Sequence, residues 1–64
     1  MAGIQVQSGQ VYWVQINGDR LKLRAVEKAQ QIPGWWRCLA PLGTEIMVPE
    51  SAFQQAADDL DFRP

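Results

Sequence analysis

The residues of this 64-residue chain that best suit recognition chemistry are aromatic and cationic side chains in two neighbouring segments. Trp13 lies in the first segment, and Arg20, Lys22 and Arg24 alternate along the second. A cation over an exposed indole gains about 0.5–1 kcal/mol, and Trp and Arg are enriched among the residues that dominate binding energy. The set predicts either a partner-binding surface anchored on Trp13 or, more simply, a solvated face where the Lys22 and Arg24 stems cover the indole.

The sequence offers little for catalysis. Cys38 is its only cysteine, and it has no histidine. A thiol nucleophile needs a neighbouring base, and a structural zinc site needs several Cys or His ligands. We therefore expect a protein that is not an enzyme, binds no metal and no other cofactor, and uses Cys38 as an inert core residue.

The elements that position these side chains begin with a hairpin. Residues 11–16 are β-branched or aromatic apart from one Gln, which is typical of a strand. Asn17-Gly18 follows, a pair that favours a two-residue type I′ turn, and residues 19–27 form the return strand. This turn fixes the register and pairs Trp13 with Lys22.

The register divides the hairpin into two faces, because successive strand residues point to opposite sides. The predicted core face carries Tyr12, Val14, Leu21, Leu23 and Ala25. The predicted solvent face carries Val11, Trp13, Gln15, Arg20, Lys22 and Arg24. Val26 has solvent-face parity although it is apolar, so we predict a β-bulge near Ala25.

The second half of the chain predicts two more strands and a turn of helix. In residues 35–40, Trp36 shares a side with the small residues Cys38 and Ala40, so we expect Trp36 in the core and Trp35 at the surface. Residues 41–44 form a turn, and residues 45–48 form a strand ended by Pro49. We predict one 3₁₀ turn over residues 51–53, followed by a tail that is a short helix or frayed.

Together these elements predict an all-β class and a single small barrel of about five short strands. Residues 1–9 are expected to be an N-terminal lead or an edge strand, residues 10–54 the barrel, and residues 55–64 an acidic tail. The helical alternative for the tail rests on apolar residues at helical spacing. These are Phe53, Ala56, Ala57 and Leu60.

Residues 33–53 resemble the second half of SH3-like domains. The resemblance rests on Gly34-Trp35-Trp36-Arg37-Cys38, on Gly43, and on Val48-Pro49-Glu50-Ser51-Ala52-Phe53. It implies an SH3-like barrel, and in members that bind proline-rich peptides it places Trp35 and Pro49 in the ligand groove. Ala52 stands where that family has a groove Tyr, so polyproline recognition is not carried over.

The strand Gly34-Trp35-Trp36-Arg37-Cys38 is also similar to one in the small plasmid-type dihydrofolate reductases. These are tetramers of SH3-like chains built around one pore. Their active-site triplet falls here on Ile46, Met47 and Val48, whose side chains cannot hydrogen-bond a pterin. The resemblance therefore concerns the fold, and an oligomeric enzyme is the least favoured alternative.

Charge and length bear on the partner. The net charge is −1, and Asp58, Asp59 and Asp61 lie near the C-terminus. A protein partner or self-association is the leading prediction, since a domain this small buries little surface alone. A single-stranded nucleic-acid role is the alternative, although such proteins are normally basic. No apolar run is long enough for a membrane span, and we expect a cytoplasmic protein.

Overall fold

The computed structural model describes residues 4–60 and residue 62 of the chain. Its elements are β1 (Val11–Ile16), β2 (Asp19–Lys28), β3 (Trp35–Leu39), β4 (Glu45–Pro49), a 3₁₀ turn (Glu50–Ala52) and β5 (Phe53–Ala56). The five strands form one antiparallel sheet in the order β4-β3-β2-β1-β5. The predicted all-β class, with five short strands and a 3₁₀ turn in a small barrel-like fold, is confirmed.

The β1–β2 hairpin has the predicted turn and register. Asn17 and Gly18 both have positive φ, at 50° and 85°, as a type I′ turn requires. All six predicted pairs from Val11↔Arg24 to Ile16↔Asp19 are present. The hairpin therefore holds Trp13 opposite Lys22, as the sequence indicates.

A β-bulge interrupts β2 where the sequence predicts one. The pairing of β2 with β3 shifts between Ala25 and Glu27, which leaves Val26 as the extra residue. The Ser8 hydroxyl donates a hydrogen bond to the Val26 carbonyl. The freed backbone group of the bulge is thus satisfied by the N-terminal lead.

The core lies on one face of the sheet. Its buried cluster consists of Val6, Tyr12, Val14, Leu23, Ala25, Trp36, Cys38, Val48 and Phe53. The Phe53 ring contacts both Tyr12 and Trp36 edge-on, with centroid distances of 5.3 and 6.4 Å. Such pairs add to area burial. Phe53 therefore joins the last strand to the two aromatic residues at the centre of the core.

Residues 4–9 of the N-terminal lead do not form a strand, yet they pack on the core. Val6 is buried and Ile4 lies against the cluster. The Tyr12 hydroxyl accepts a hydrogen bond from the Gln7 backbone N–H at 2.8 Å and donates one to the Gln5 carbonyl at 3.3 Å. These bonds let Tyr12 be buried without an unsatisfied hydroxyl.

Two residues depart from the predicted faces of the hairpin. Leu21, predicted in the core, has 39% of its surface exposed, because β3 pairs with β2 only from Arg24 onward. Val11, predicted on the solvent face, is 1% exposed although it is not in the core cluster. The chain after β5 lies beside Val11, since the Ala57 N–H donates to the Val11 carbonyl at 2.8 Å.

The prediction of a short helical or frayed tail after the 3₁₀ turn is wrong over residues 54–56. These residues lie in β5, which pairs with β1 and has a register irregularity between Trp13 and Val14. β5 runs to Ala56, past the predicted boundary at residue 54. Residues 57–60 and 62 contain no helix. In the described parts of the chain, no helix has the length and apolar character needed to cross a bilayer.

Candidate binding surface

The centre of the candidate site is Trp13, which is half-buried on the outer face of β1. The Arg20 guanidinium carbon lies 4.6 Å from the centroid of the indole ring, and the Lys22 ammonium nitrogen lies 5.4 Å from it. Both distances are within the range of cation–π attraction. Strand periodicity places the two cations on the same side of β2, as the sequence predicts.

Polar side chains from two other strands hold the Arg20 guanidinium in place. Arg20 Nε donates a hydrogen bond to Gln54 Oε1 at 3.0 Å, and Gln54 Nε2 donates to Gln15 Oε1 at 3.4 Å. Gln15 lies on β1 and Gln54 on β5. The guanidinium position therefore depends on β5, which the sequence does not predict as a strand.

An apolar groove of about 250 Å³ lies beside the indole. Its walls include Leu21, Ala40 and Pro41, together with Trp13 and Arg20. Pro41 belongs to the turn that joins β3 to β4. The partly exposed Leu21 therefore lines this open groove and does not belong to the core cluster.

Lys22 and Arg24 contact the C-terminal segment. Lys22 Nζ lies 2.7 Å from Asp58 Oδ1, and the Lys22 side chain is only 13% exposed. The hydrogen bonds from Lys22 and from the Leu60 backbone N–H lower the pKa of the Asp58 carboxyl. The Arg24 guanidinium carbon lies 5.2 Å from the centroid of the Phe62 ring. Arg24 is on the predicted face, but its aromatic partner is Phe62.

Trp35 and Pro49, the residues implied by the SH3-like resemblance, lie together elsewhere on the molecule. They face each other in the β3–β4 ladder and line a groove of about 360 Å³ with Ile16 and Met47. This groove shares no lining residue with the one beside Trp13. The six predicted binding residues therefore belong to separate surfaces.

Arg37 is a cation whose partners the strand register brings together. It lies on the outer side of β3, where Nε donates to Glu27 Oε2 at 3.1 Å and Nη1 donates to Glu45. These contacts with β2 and β4 raise the pKa of Arg37, although partial desolvation opposes them. Arg37 thus links three strands and is engaged within the domain.

Cys38 is fully buried, as the sequence predicts for a core residue. Its Sγ lies 3.9 Å from the Trp36 carbonyl oxygen. Burial raises the pKa of the thiol to about 11. Because the thiolate is the reactive form, the thiol is poorly suited to nucleophilic chemistry at neutral pH.

The fold and the surface define a class: a small antiparallel β domain with an apolar groove beside an indole and two cations. Comparison of the chain with protein-family models, curated proteins and solved structures finds no match in any of the three. Membership of the SH3-like family therefore stays a prediction.

Proposed function

We propose that this chain is a non-catalytic interaction module that captures a protein partner through the groove beside Trp13. The observation that carries the proposal is the combination of a half-buried indole, two cations over its ring and an adjoining apolar groove. Binding hot spots in proteins favour Trp and Arg beside pockets that exclude water. The groove offers apolar contact to a partner, and the Arg20 guanidinium offers a directional polar contact.

The same geometry favours a protein partner over a single nucleic-acid strand. Base stacking requires an accessible ring face beside a cationic track, whereas Arg20 and Lys22 lie over the indole of Trp13. Lys22 lies 2.7 Å from Asp58, so it is already paired with a carboxylate, the anionic group that a protein partner carries.

The non-catalytic part of the proposal draws on Cys38. Its thiol is buried, and burial raises its pKa to about 11, so a substrate would meet neither an exposed nor an ionised sulfur. The apolar groove beside Trp13 has an aromatic ring and cations at its edge, and these are features of a binding site.

A capture experiment with matched variants tests the proposal. Immobilised wild-type chain, Arg20→Gln, Trp13→Ala and Trp35→Ala would be exposed to the same cell extract, with circular dichroism as the check on folding. Arg20→Gln removes a cation from an exposed side chain, so it separates loss of binding from loss of fold. We expect both groove variants to lose the partner and Trp35→Ala to retain it.

Two outcomes would contradict the proposal. Equal capture by all four chains would exclude the groove beside Trp13. Loss of capture by Trp35→Ala alone would place the interaction in the groove with Pro49. The partner could also be a second copy of the chain, which sedimentation would show as a concentration-dependent dimer. If Arg20→Gln abolished this dimer, self-association through the groove would be the form of the interaction.

A further inference from the structure

The chain after β5 lies across the outer face of the β1–β2 hairpin. The Ala57 backbone N–H donates to the Val11 carbonyl, and Gln10 Nε2 donates to the Ala57 carbonyl at 3.1 Å. These bonds extend the contact with β1 by one residue beyond β5. They direct the next residues toward the cations of β2.

Two side chains of this segment match two cations of the hairpin. Asp58 pairs with Lys22 at 2.7 Å, and the Phe62 ring lies 5.2 Å from the Arg24 guanidinium carbon. Lys22 and Arg24 are two residues apart on one strand and share a face. The segment therefore presents an acid and an aromatic ring at the spacing of two neighbouring cations.

We propose that Asp58 and Phe62 act as an internal occupant of the basic half of this surface, and that the partner is an acidic peptide segment with an aromatic residue that displaces them. The proposal rests on the proposed function of the same surface and names the chemistry of its partner. The occupant defines that chemistry through charge complementarity with Lys22 and Arg24. The apolar groove beside Trp13 lies next to Lys22 and receives the remainder of such a peptide.

The contacts of the internal occupant are of a kind that exchanges readily. The Asp58 side chain is 60% exposed, and ion pairs with one partner largely in water contribute little to stability. Arg24 keeps a second partner, because its Nη1 donates to the Gly9 carbonyl at 2.8 Å. Exchange at Asp58 and Phe62 leaves the Ala57–Val11 backbone bond in place, so the fold is retained.

The test uses the full chain and a double variant, Asp58→Asn/Phe62→Ala, that keeps the backbone of the segment. The probe is a synthetic peptide with the sequence of residues 57–64. Binding is followed by NMR at the Trp13 indole N–H and at the Lys22 and Arg24 amides. A tethered occupant competes with the peptide at an effective concentration near millimolar, so we expect the double variant to bind the peptide severalfold more tightly than the wild type.

Three controls sharpen the result. A peptide with Asn in place of each Asp should not bind. Lys22→Gln/Arg24→Gln in the double-variant background should abolish binding, whereas Lys28→Gln, which removes one positive charge at the far end of β2, should not. An unchanged Val11 amide resonance in the double variant would show that the strand pairing persists.

The inference is overturned if the double variant binds the peptide no more tightly than the wild type, or if the Asn-substituted peptide binds equally well. A single-stranded oligonucleotide that binds more tightly than the peptide would also overturn it. If the wild type still captures a protein in an Arg20-dependent manner while the peptide fails, the proposed function stands and only the acidic partner is wrong.

Discussion

Trp13 and Arg20 contact each other across the β1–β2 hairpin, with the guanidinium carbon 4.6 Å from the centroid of the indole ring. They are not direct cross-strand partners, since Trp13 pairs with Lys22 and Arg20 with Gln15. The contact is therefore diagonal, which long side chains can span on a sheet. It brings a planar cation to the rim of an apolar groove.

This contact predicts a measurable coupling. In a double-mutant cycle with Trp13→Leu and Arg20→Gln, we expect a coupling free energy of about 0.5–1 kcal/mol, the size of an exposed cation–π contact. Urea unfolding of the four chains measures it. A cycle with Lys28→Gln in place of Arg20→Gln should give no coupling, and equal coupling in both cycles would exclude a specific contact.

The ion pair between Lys22 and Asp58 predicts a dependence of stability on pH. The folded-state pKa of Asp58 is lowered from 3.8, so its contribution is present above that pH and is lost as pH falls through the lower, folded value. We expect Asp58→Asn to lower the melting temperature at about pH 6 and the difference to shrink as the pH falls below 3.8. A difference that grows on acidification would contradict the assignment.

Truncation of the two adjacent tryptophans should lower the stability by very different amounts. Trp36 is 4% exposed within the core, whereas Trp35 is 36% exposed. Trp36→Ala should cost about 3–5 kcal/mol through lost burial and cavity formation, which is comparable with the whole stability of many small domains. Trp35→Ala should cost far less. Denaturant unfolding followed by circular dichroism distinguishes them, and similar losses would contradict the assigned faces.

Replacing Gly18 should change the stability of the hairpin through backbone conformation and not through packing. Its φ is 85°, and a Cβ built at this position meets no atom within 4 Å. Gly18→Ala should therefore destabilise the hairpin by about 1–2 kcal/mol through left-handed backbone strain alone. Gly18→Asn should cost less, because Asn tolerates this conformation. Thermal unfolding of both variants measures the difference, and equal losses would exclude backbone strain as the cause.

The buried thiol predicts slow modification. Since burial raises the pKa of Cys38 from 9.0 to about 11, the folded protein should react with a disulfide reagent at pH 8 only as fast as it opens. The same protein in denaturant should react at the rate of an ordinary thiol. The raised pKa also means that stability should fall as pH rises from 9 toward 11, and Cys38→Ala should reduce this fall.

Local chemistry accounts for the parts of the fold that the sequence predicts. Asn17 and Gly18 select one turn type, and that turn fixes the register that places Trp13 beside the cations. The small residue Cys38 identifies the buried side of β3 and so separates Trp36 from Trp35. Each of these inferences needs only residues that are close in sequence.

The parts that the sequence does not predict depend on contacts between distant residues. Phe53 and Ala56 fit a helical spacing, yet they form β5, because Phe53 is buried against Tyr12 and Trp36 and the strand pairs with β1. Asp58 meets Lys22 across 36 residues of sequence. No pattern in the sequence predicts this ion pair, because it depends on where β5 ends.

The strand order has a consequence for how the chain assembles. Within residues 4–60, three of the four strand pairings join strands adjacent in sequence, and the fourth, β1–β5, joins the first strand to the last. Closing the longest loop carries the largest entropic cost, so we expect this pairing to form last and to open first. The chain segment with Asp58 follows that strand, so opening of the β1–β5 pairing frees the segment together with β5, whereas exchange of the Asp58 and Phe62 contacts leaves the pairing intact.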